Sequence, residues 1–317
     1  MNYLVTGGAG FIGSHLVDRL LEGGNKVRVL DNFSTGKKEN LINVLGRIEL
    51  IHGDIRDYGS VRRAVDGIDV VFHEAAISSV MKSIEDPVTN DAVNVGGAVN
   101  VLQSSREAGV KKVVYASSAA VYGNDGAVPK KETMTPGPES PYAVSKLVGE
   151  YYCKVFSSLY GLPTVCLRYF NVFGGRQNPS SEYSGVISKF ISALLSNKSP
   201  IIFGDGEQSR DFVYVENIVD ANILASMVDC KPGIVLNVGC SVKTTINQLV
   251  NELNSVLGKR LEPIYRSARP GDVRDSLADI TMISKELDYE PKTSIRQGLE
   301  RTISGYKSAF ETDQPKA

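Results

Sequence analysis

Apolar residues in the first half of the chain follow two alternating patterns. Short runs rich in Val, Ile and Leu, such as residues 2–6 and 26–30, are typical of buried strands. Longer stretches such as 11–22 and 142–159 carry apolar residues at helical spacing. Strands that alternate with helices predict a parallel sheet covered on both faces, with right-handed crossovers. We therefore predict an α/β fold, a Rossmann-like doubly wound parallel sheet.

The same patterns divide the chain. Further strands are predicted at 48–52, 69–73, 112–116 and 164–170, and further helices around 61–65 and over 88–107. The alternation loosens after residue 171, so residues 1–171 are predicted to form the first domain, with strands near 212–215 and 234–238 returning to its sheet. Residues 172–211 and 241–310 are predicted to form a smaller mixed α/β module, and the polar segment 311–317 a disordered tail.

The composition of the chain argues against several classes of function. The 317 residues carry a net charge of −1 without a basic stripe, so nucleic acid is not an expected partner. No run approaches the roughly 18 apolar residues of a membrane helix, and no signal-peptide pattern opens the chain, so we expect a cytoplasmic protein with no membrane partner. The four cysteines and three histidines lack metal-ligand spacing, so we expect free thiols and no metal.

A glycine-rich segment connects the first predicted strand to the first predicted helix. Gly7, Gly10 and Gly13 are spaced GxxGxxG. Glycines at such a turn let the backbone approach a pyrophosphate, and the start of the helix directs free N–H groups toward it. A P-loop is excluded because no Lys-Ser/Thr pair follows the glycines. The alternative is a strand-to-helix turn without a ligand.

Asp31 favours a dinucleotide, and NAD in particular. It ends the second predicted strand, 18 residues after Gly13. A carboxylate at this position can accept hydrogen bonds from both ribose hydroxyls and repels the 2′-phosphate of NADP. No Arg or Lys directly follows Gly8 or Asp31 to bind that phosphate.

Tyr142 and Lys146 form a YxxxK pattern on a predicted helix, so both side chains lie on one face. An ammonium beside a phenol is expected to lower the phenol's pKa from roughly 10, which lets the tyrosine take a proton from a sugar hydroxyl as hydride leaves. Ser118 ends the strand before this helix and can share the same proton. We predict Tyr142, Lys146 and Ser118 as the catalytic group.

With these motifs, the chain resembles the extended short-chain dehydrogenase/reductase family that acts on nucleotide sugars, and within it the UDP-hexose 4-epimerases. The resemblance runs from residue 3 to about 308. Its supporting segments are GDI at 53–55, HEAA at 73–76, RYFN at 168–171, RDF at 210–212 and RPGD at 269–272.

The resemblance implies two sets of binding residues and an assembly. The implied cofactor site comprises Gly7, Gly10, Phe11, Ile12, Gly13, Asp31, Asn32, Ser34, Thr35, Gly36, Asp54, Ile55, Ala75, Ala76, Asn94, Tyr142, Lys146 and Tyr169. The implied nucleotide-sugar site comprises Ser79, Ser118, Tyr142, Asn171, Val186, Phe203, Arg210, Arg269, Asp272 and Ser276. Arg210 and Arg269 are suited to a diphosphate. Similar enzymes form homodimers through a four-helix bundle, here from the helices near 88–107 and 142–159.

Ala119 and Ala120 narrow the expected reaction. The dehydratases of this family carry Asp-Glu at these two places, and the decarboxylases carry Glu at the second. Methyl groups can neither donate nor accept protons, so elimination and decarboxylation are disfavoured. What remains is reversible oxidation and reduction at C4 through a 4-keto sugar, which makes the chain an isomerase.

Ser276 bears on which sugar is accepted. In similar epimerases a tyrosine at this position restricts the pocket to plain hexoses, whereas a small residue admits an N-acetyl group. Ser276 therefore predicts that UDP-GlcNAc and UDP-GalNAc are accepted as well as UDP-Glc and UDP-Gal. Two alternatives stay open: a UDP-uronic acid 4-epimerase or other nucleotide-sugar oxidoreductase on this scaffold, and a non-catalytic nucleotide-binding regulator.

Overall fold

The computed structural model describes residues 1–177, 185–268 and 274–312. The strands are β1 (Asn2–Thr6), β2 (Lys26–Asp31), β3 (Ile48–His52), β4 (Val70–His73), β5 (Lys112–Ser118), β6 (Thr164–Tyr169), β7 (Asn171–Phe173), β8 (Ile201–Phe203), β9 (Ser209–Arg210), β10 (Phe212–Tyr214), β11 (Ile234–Val238), β12 (Thr244–Thr245), β13 (Ile264–Arg266) and β14 (Asp275–Ser276). The helices are α1 (Phe11–Glu22), α2 (Tyr58–Val65), α3 (Val80–Glu85), α4 (Pro87–Asp91), α5 (Gly97–Glu107), α6 (Pro141–Tyr160), α7 (Val186–Leu195), α8 (Val215–Met227), α9 (Ile246–Leu257), α10 (Thr281–Leu287) and α11 (Ile295–Thr312).

Seven strands form a parallel central sheet in the order β11-β6-β5-β4-β1-β2-β3. The order reverses between β1 and β4, and ligands of such folds bind at this switch point, beyond the carboxyl ends of the strands. Buried side chains of α2, α5 and α6 cover one face, while those of α1 and α8 cover the other. The prediction of a Rossmann-like α/β fold is confirmed.

One predicted helix is interrupted. The segment 88–107 forms α4, then a turn of π-helix over Ala92–Gly96, then α5. The interruption turns the Asn94 side chain into the protein interior. Periodicity alone did not show it, because a π turn adds a single residue to the helical repeat.

One of the two returning strands was placed wrongly. Ile234–Val238 pairs in parallel with β6 at the edge of the large sheet, but Phe212–Tyr214 pairs with β7 in a separate two-stranded sheet. The reason is β7 itself, which follows β6 after one residue and leaves the sheet, giving Phe212 a different neighbour. The apolar pattern of residues 212–215 is compatible both with pairing in the main sheet and with pairing to β7.

The C-terminal module contains three short strand pairings and its own core. β9 lies between β12 and β14, and β8 pairs with β13. Apolar residues of α7, α9 and α11 pack together with those of β10. Helix α11 extends to Thr312, two residues into the segment predicted to be disordered; residues 313–317 lie outside the described chain.

A segment from the first domain crosses to the C-terminal module. The Lys130 amide donates to Leu277 O (2.7 Å), and the Asp279 amide donates to Lys130 O (2.9 Å), forming a parallel bridge opposite Ala278. This bridge joins the loop that follows β5 to the segment that carries Ser276.

Candidate functional site

The glycine loop between β1 and α1 is tightly packed on itself. Gly7 has a φ of +69°, and a Cβ on it would lie 2.7 Å from the amide nitrogen of Ala75. A Cβ on Gly13 would lie 2.3 Å from the carbonyl oxygen of Gly7. Side chains at either position would therefore force the loop apart. Gly10 precedes α1, and no side chain of the described residues caps this helix start. The first helical turn, including Phe11 and Ile12, thus presents N–H groups suited to a phosphate.

Two carboxylates lie at the ends of β2 and β3. Asp31 is buried and accepts hydrogen bonds from the amides of Ala9 (2.9 Å) and Phe33 (2.8 Å). Asp54 accepts a 2.8 Å bond from the Asn32 side chain. It also pairs with Arg56, whose guanidinium holds the Asp54 pKa well below its usual range. Both groups are therefore held in place with acceptor capacity remaining.

Other residues predicted to bind the cofactor lie near these carboxylates. A Cβ on Gly36 would approach Asp31 Oδ1 to 3.0 Å, whereas Ser34 and Thr35 are exposed. Ile55 is buried, and a Cβ on Gly97 of α5 would lie 2.5 Å from its Cδ1. These contacts pack the residues that lie beside the carboxyl ends of β2 and β3.

Lys146 is buried under the carboxyl end of β5. Its Nζ donates to the carbonyl oxygen of Ala116 at 2.7 Å and lies 5.2 Å from the centroid of the Tyr115 ring. Burial lowers the pKa of Lys146 to about 8, an effect that the charge of Glu74 opposes. The Ala116 carbonyl group of β5 thus fixes the position of the ammonium, and burial brings the pKa of Lys146 closer to neutral pH.

The Ser118 hydroxyl lies close enough to the Tyr142 phenol to influence its ionisation. Ser118 ends β5 and also accepts a 3.1 Å bond from the Ala120 amide. Burial raises the pKa of Tyr142 above its ordinary value, the charge of Glu74 adds to the rise, and Ser118 opposes it. The lowering of the Tyr142 pKa that we expected from Lys146 is therefore not found in this structure.

Asn94 organises the loop that follows β4. It is buried, exchanges hydrogen bonds with both backbone groups of Ile77 (2.8 and 3.0 Å), and donates to Ser145 Oγ on α6 (3.0 Å). The loop carrying Ala75 and Ala76 is therefore fixed against the helix that carries Tyr142 and Lys146. Further along this loop, Ser79 caps α3 by accepting from the Lys82 amide.

Sequence reasoning missed Glu74. Tyr169, at the end of β6, donates a 2.7 Å hydrogen bond to Glu74 Oε1. Burial raises the pKa of Glu74 to about 7, while Tyr169 and Lys146 oppose the rise. The signal in the sequence was the position of Glu74, an acidic residue directly after the predicted strand 69–73.

The predicted sugar-binding residues lie in the C-terminal module and at its border. Asn171 and Val186 line one cleft of about 100 Å³. Phe203 ends β8, and Arg210 lies in β9 directly opposite Ser276 of β14. Asp211 accepts hydrogen bonds from the amides of Cys240, Ser241 and Ala278, which holds the segment after Arg210 in place. Arg269 and Asp272 lie outside the described residues.

Three further features of the described residues concern membrane helices, metal sites and cysteines. None of the helices in the described ranges is both long and apolar enough to cross a bilayer. Among residues 1–177, 185–268 and 274–312, no three His, Cys, Asp or Glu side chains are grouped so as to hold a metal ion. The four cysteines carry free thiols.

The fold and the loop fit a dinucleotide. The glycines allow a close backbone packing that a Cβ would prevent, the helix that follows starts without a side-chain cap, and a fixed carboxylate lies at the end of the next strand. Together with Tyr142 and the buried Lys146 on α6, these features define an enzyme of the extended short-chain dehydrogenase/reductase type.

Comparison with known proteins gives the family. Residues 3–239 match the NAD dependent epimerase/dehydratase family. A putative UDP-glucose 4-epimerase of Methanocaldococcus jannaschii is 42% identical, covering 98% of this chain and 99% of that protein. The chain belongs to the NAD-dependent epimerase/dehydratase family, and its cofactor is NAD.

Solved structures agree along the whole fold. A UDP-N-acetylglucosamine 4-epimerase from Methanobrevibacter ruminantium, in complex with UDP-N-acetylmuramic acid, is 42% identical with a TM-score of 0.93, covering 97% of this chain and 98% of that one. A UDP-glucose 4-epimerase from Thermotoga maritima with UDP-glucose is 40% identical with a TM-score of 0.93, covering 98% and 100%. The predicted isomerase class is thereby confirmed.

Proposed function

We propose that this enzyme interconverts UDP-sugars at C4 and accepts N-acetylated sugars (UDP-GlcNAc and UDP-GalNAc) as well as UDP-Glc and UDP-Gal. The observation that carries the proposal is that α6 brings Tyr142 and buried Lys146 to the end of β5, where Ser118 is followed by Ala119 and Ala120. Tyr142 can move one proton in both directions, and the two positions after Ser118 carry no acid for elimination.

Gly7, Gly10, Gly13 and Asp31 would hold the dinucleotide. When bound, NAD would supply a hydride acceptor that can later give the hydride back. The chain's part is to present the uncapped amides at the start of α1 to the pyrophosphate and Asp31 to a ribose.

Tyr142 removes the proton from the sugar C4 hydroxyl, and Ser118 donates to the phenolate while that negative charge exists. Lys146, held by Ala116, supplies a positive charge on the same helix face. When the opposite face of the 4-keto sugar is reduced, Tyr142 returns the proton. Because the same groups serve both directions, no second acid is required.

The C-terminal module would anchor the UDP-sugar. Arg210 provides a guanidinium for the diphosphate, and Asn171 and Val186 border the adjoining cleft. A substrate anchored at its diphosphate can turn its sugar ring without leaving. Ser276, opposite Arg210, is small enough to leave space for an N-acetyl group.

We propose a homodimer with a second copy of this chain on the outer face of α6. Tyr151, Val155 and Leu159 lie exposed on this face, the last at 71%. Exposed Ile84 and Val88 of the neighbouring α3 and α4 extend it. Two copies related by a two-fold axis would each cover the other's apolar residues, which accounts for a face that a monomer leaves in water.

The test is to incubate the purified protein separately with UDP-GlcNAc, UDP-Glc and UDP-glucuronic acid and to separate the products by anion-exchange chromatography. We expect UDP-GalNAc from the first and UDP-Gal from the second. Conversion of UDP-glucuronic acid alone would replace the proposal with a uronate epimerase. No conversion of any of the three would refute epimerisation of these sugars.

A further inference from the structure

Glu150 joins α6 to two strands of the sheet beneath it. It is buried and lies one turn after Lys146. Its Oε1 accepts hydrogen bonds from Ser117 Oγ of β5 (2.5 Å) and Arg168 Nε of β6 (2.9 Å), and its Oε2 accepts from Arg168 Nη2 (2.7 Å). Ser117 and Arg168 are buried and lie opposite each other in the register of β5 and β6, so their side chains point to the same face. The mechanism above assigns these three residues no role.

The guanidinium of Arg168 also reaches the turn that follows Ser118. Arg168 Cζ lies 4.7 Å from the centroid of the Tyr122 ring. Tyr122 ends the short 3₁₀ turn that begins directly after Ser118. Arg168 therefore contacts both elements that the proposed chemistry needs, because α6 carries Tyr142 and the turn is continuous with Ser118.

Stability does not account for this buried ion pair. Two ions taken out of water lose hydration that their attraction often fails to offset, and apolar residues of similar volume are frequently as stable in their place. Arg168 Nη1 adds to the cost, because it has no hydrogen-bond partner in the described part of the chain. What the pair supplies is geometry. A carboxylate and a guanidinium form parallel hydrogen bonds in a fixed planar arrangement, whereas an apolar contact allows a helix to slide or rotate.

The contacts of α6 with β5 follow the order of the strand. Lys146 donates to the carbonyl oxygen of Ala116. Glu150, four residues further on, accepts from the next residue of the strand, Ser117. The residue after that is Ser118. A lysine ends in a point charge on a flexible stem and can follow a moving helix, so the second contact restricts α6 further than the first one alone.

We propose that the Glu150–Arg168 pair positions the catalytic helix by setting the register of α6 on β5. That register determines where the Tyr142 phenol lies relative to Ser118. Glu150 and Arg168 are thus positioning residues, and the proposal assigns them no contact with substrate or cofactor. The inference rests on the proposed function only for its kinetic test.

The double variant Glu150→Leu/Arg168→Met replaces both charges with apolar side chains. Urea unfolding should give a free energy no lower than that of the wild type, because no charge is left unpaired. For the UDP-sugar that the wild type converts, kcat should nevertheless fall at least about tenfold, since misplacing a catalytic group by about 1 Å can cost a hundredfold. KM should stay within about twofold, because Arg210, proposed to hold the diphosphate, lies in the other module.

The matched control is another ion pair between two elements, Arg19 of α1 with Asp220 of α8 (2.5 Å). Arg19→Met/Asp220→Leu should leave kcat within about twofold of the wild type. A fall in kcat of less than tenfold in Glu150→Leu/Arg168→Met would overturn the proposal. So would a KM that rises as much as kcat falls, since a general loss of order disturbs binding as well as chemistry.

Ser117→Ala is the second variant, for use if the double variant does not fold. It removes only the hydrogen bond from β5 to Glu150 and leaves the ion pair with Arg168 intact. We expect kcat to fall by about threefold to tenfold, in keeping with the loss of one buried hydrogen bond. Ser157→Ala removes a 2.8 Å bond between the far end of α6 and Thr164 and should keep the wild-type kcat. Equal kcat values in the two serine variants would contradict the inference.

Crystal structures of the wild type and the double variant test the inference without turnover of any sugar. The Cα atoms of Tyr142 and Lys146 should move by roughly 1 Å relative to β5, the displacement that the kinetic expectation assumes. An α6 that keeps its wild-type register would overturn the proposal. If the wild type converts no UDP-sugar, the proposed function fails, while this comparison still decides the role of Glu150 and Arg168.

Discussion

Lys146 and Ala116 are joined by a 2.7 Å hydrogen bond from the ammonium to the backbone carbonyl oxygen. The bond fixes α6 against β5 two residues before Ser118, so the YxxxK helix and the strand-end serine keep one register. The Tyr115 ring supports the ammonium from the side. Gly149, one turn beyond Lys146, makes room for that ring: a Cβ there would lie 2.1 Å from the Tyr115 phenol oxygen.

Tyr142→Phe should lower kcat by about 10²- to 10⁴-fold, the usual contribution of a general acid–base group. NAD binding should persist, because the ring stays in place and only the hydroxyl is lost. Coupled assay of UDP-hexose turnover and fluorescence titration with NADH measure the two effects. The control is Tyr160→Phe, at the exposed end of the same helix, which should retain full activity. Near-normal turnover in Tyr142→Phe would assign the proton transfer to another residue.

Gly13→Ala should abolish NAD binding. The added methyl group would lie 2.3 Å from Gly7 O, and the backbone of the loop must shift to relieve the contact. Equilibrium dialysis with NAD measures the loss. Gly305→Ala is the matched helical control, because no atom lies within 4 Å of its added Cβ. It should leave NAD binding unchanged and stabilise the protein by up to about 1 kcal/mol. Equal NAD affinity in both variants would mean that the loop does not bind the pyrophosphate.

His73 should make the protein less stable in mild acid. Burial lowers its pKa to about 3 in the folded state, whereas the unfolded value is about 6.5. Between these values the unfolded chain binds a proton that the native state does not, so stability rises with pH through this range. From pH 6.5 to 5 the wild type should lose about 2 kcal/mol more than His73→Gln. Urea unfolding at the two pH values measures this difference.

The control for His73 is its hydrogen-bond partner. Thr6 Oγ1 lies 2.8 Å from His73 Nδ1, and Thr6→Val removes that bond while keeping the imidazole. This variant should lose about 1 kcal/mol at both pH values and keep the wild-type slope. A slope in His73→Gln equal to that of the wild type would show that other groups account for the acid sensitivity.

Ser276→Tyr should reduce kcat/KM for UDP-GlcNAc at least tenfold more than for UDP-Glc. A phenol at this position of β14, opposite Arg210, would take the space proposed for the N-acetyl group. Competition between the two sugars in one reaction gives the ratio directly. Ser276→Ala should keep the wild-type ratio, since it adds no volume. An unchanged ratio in Ser276→Tyr would place the N-acetyl group elsewhere.

Val155→Arg should yield a monomer. Val155 lies near the centre of the exposed α6 face, and a guanidinium there would be buried without a partner between two copies. Light scattering coupled to size-exclusion chromatography gives the mass. Met227→Arg, at a more exposed apolar residue at the end of α8, should not alter the oligomeric state. A wild-type protein that is monomeric at micromolar concentration would refute the proposed dimer.

The main sheet was predictable because its strands are short segments rich in apolar residues that alternate with helical segments, and parallel pairing between two helical layers follows from that alternation. The glycine loop and the Tyr142–Lys146 spacing were predictable because their geometry is local. The placement of Phe212–Tyr214 was not, because its partner β7 is three residues long and leaves no periodic signal.

Glu74 could not be assigned from sequence for a related reason. Its partner Tyr169 is separated from it by 95 positions and meets it only when β4 and β6 have joined the same sheet. The direction of the Tyr142 pKa shift could not be predicted either, because it depends mainly on the burial of the phenol. Local spacing gives the neighbours of a group, whereas its degree of desolvation depends on the whole fold.

The bridge at Lys130 has a consequence for product release. The loop after β5 and the segment that carries Ser276 share two backbone hydrogen bonds, at 2.7 and 2.9 Å. The two segments are therefore coupled and cannot move independently at this point. Either the bonds break once per turnover, which amide exchange at Asp279 would record, or both segments move as one body.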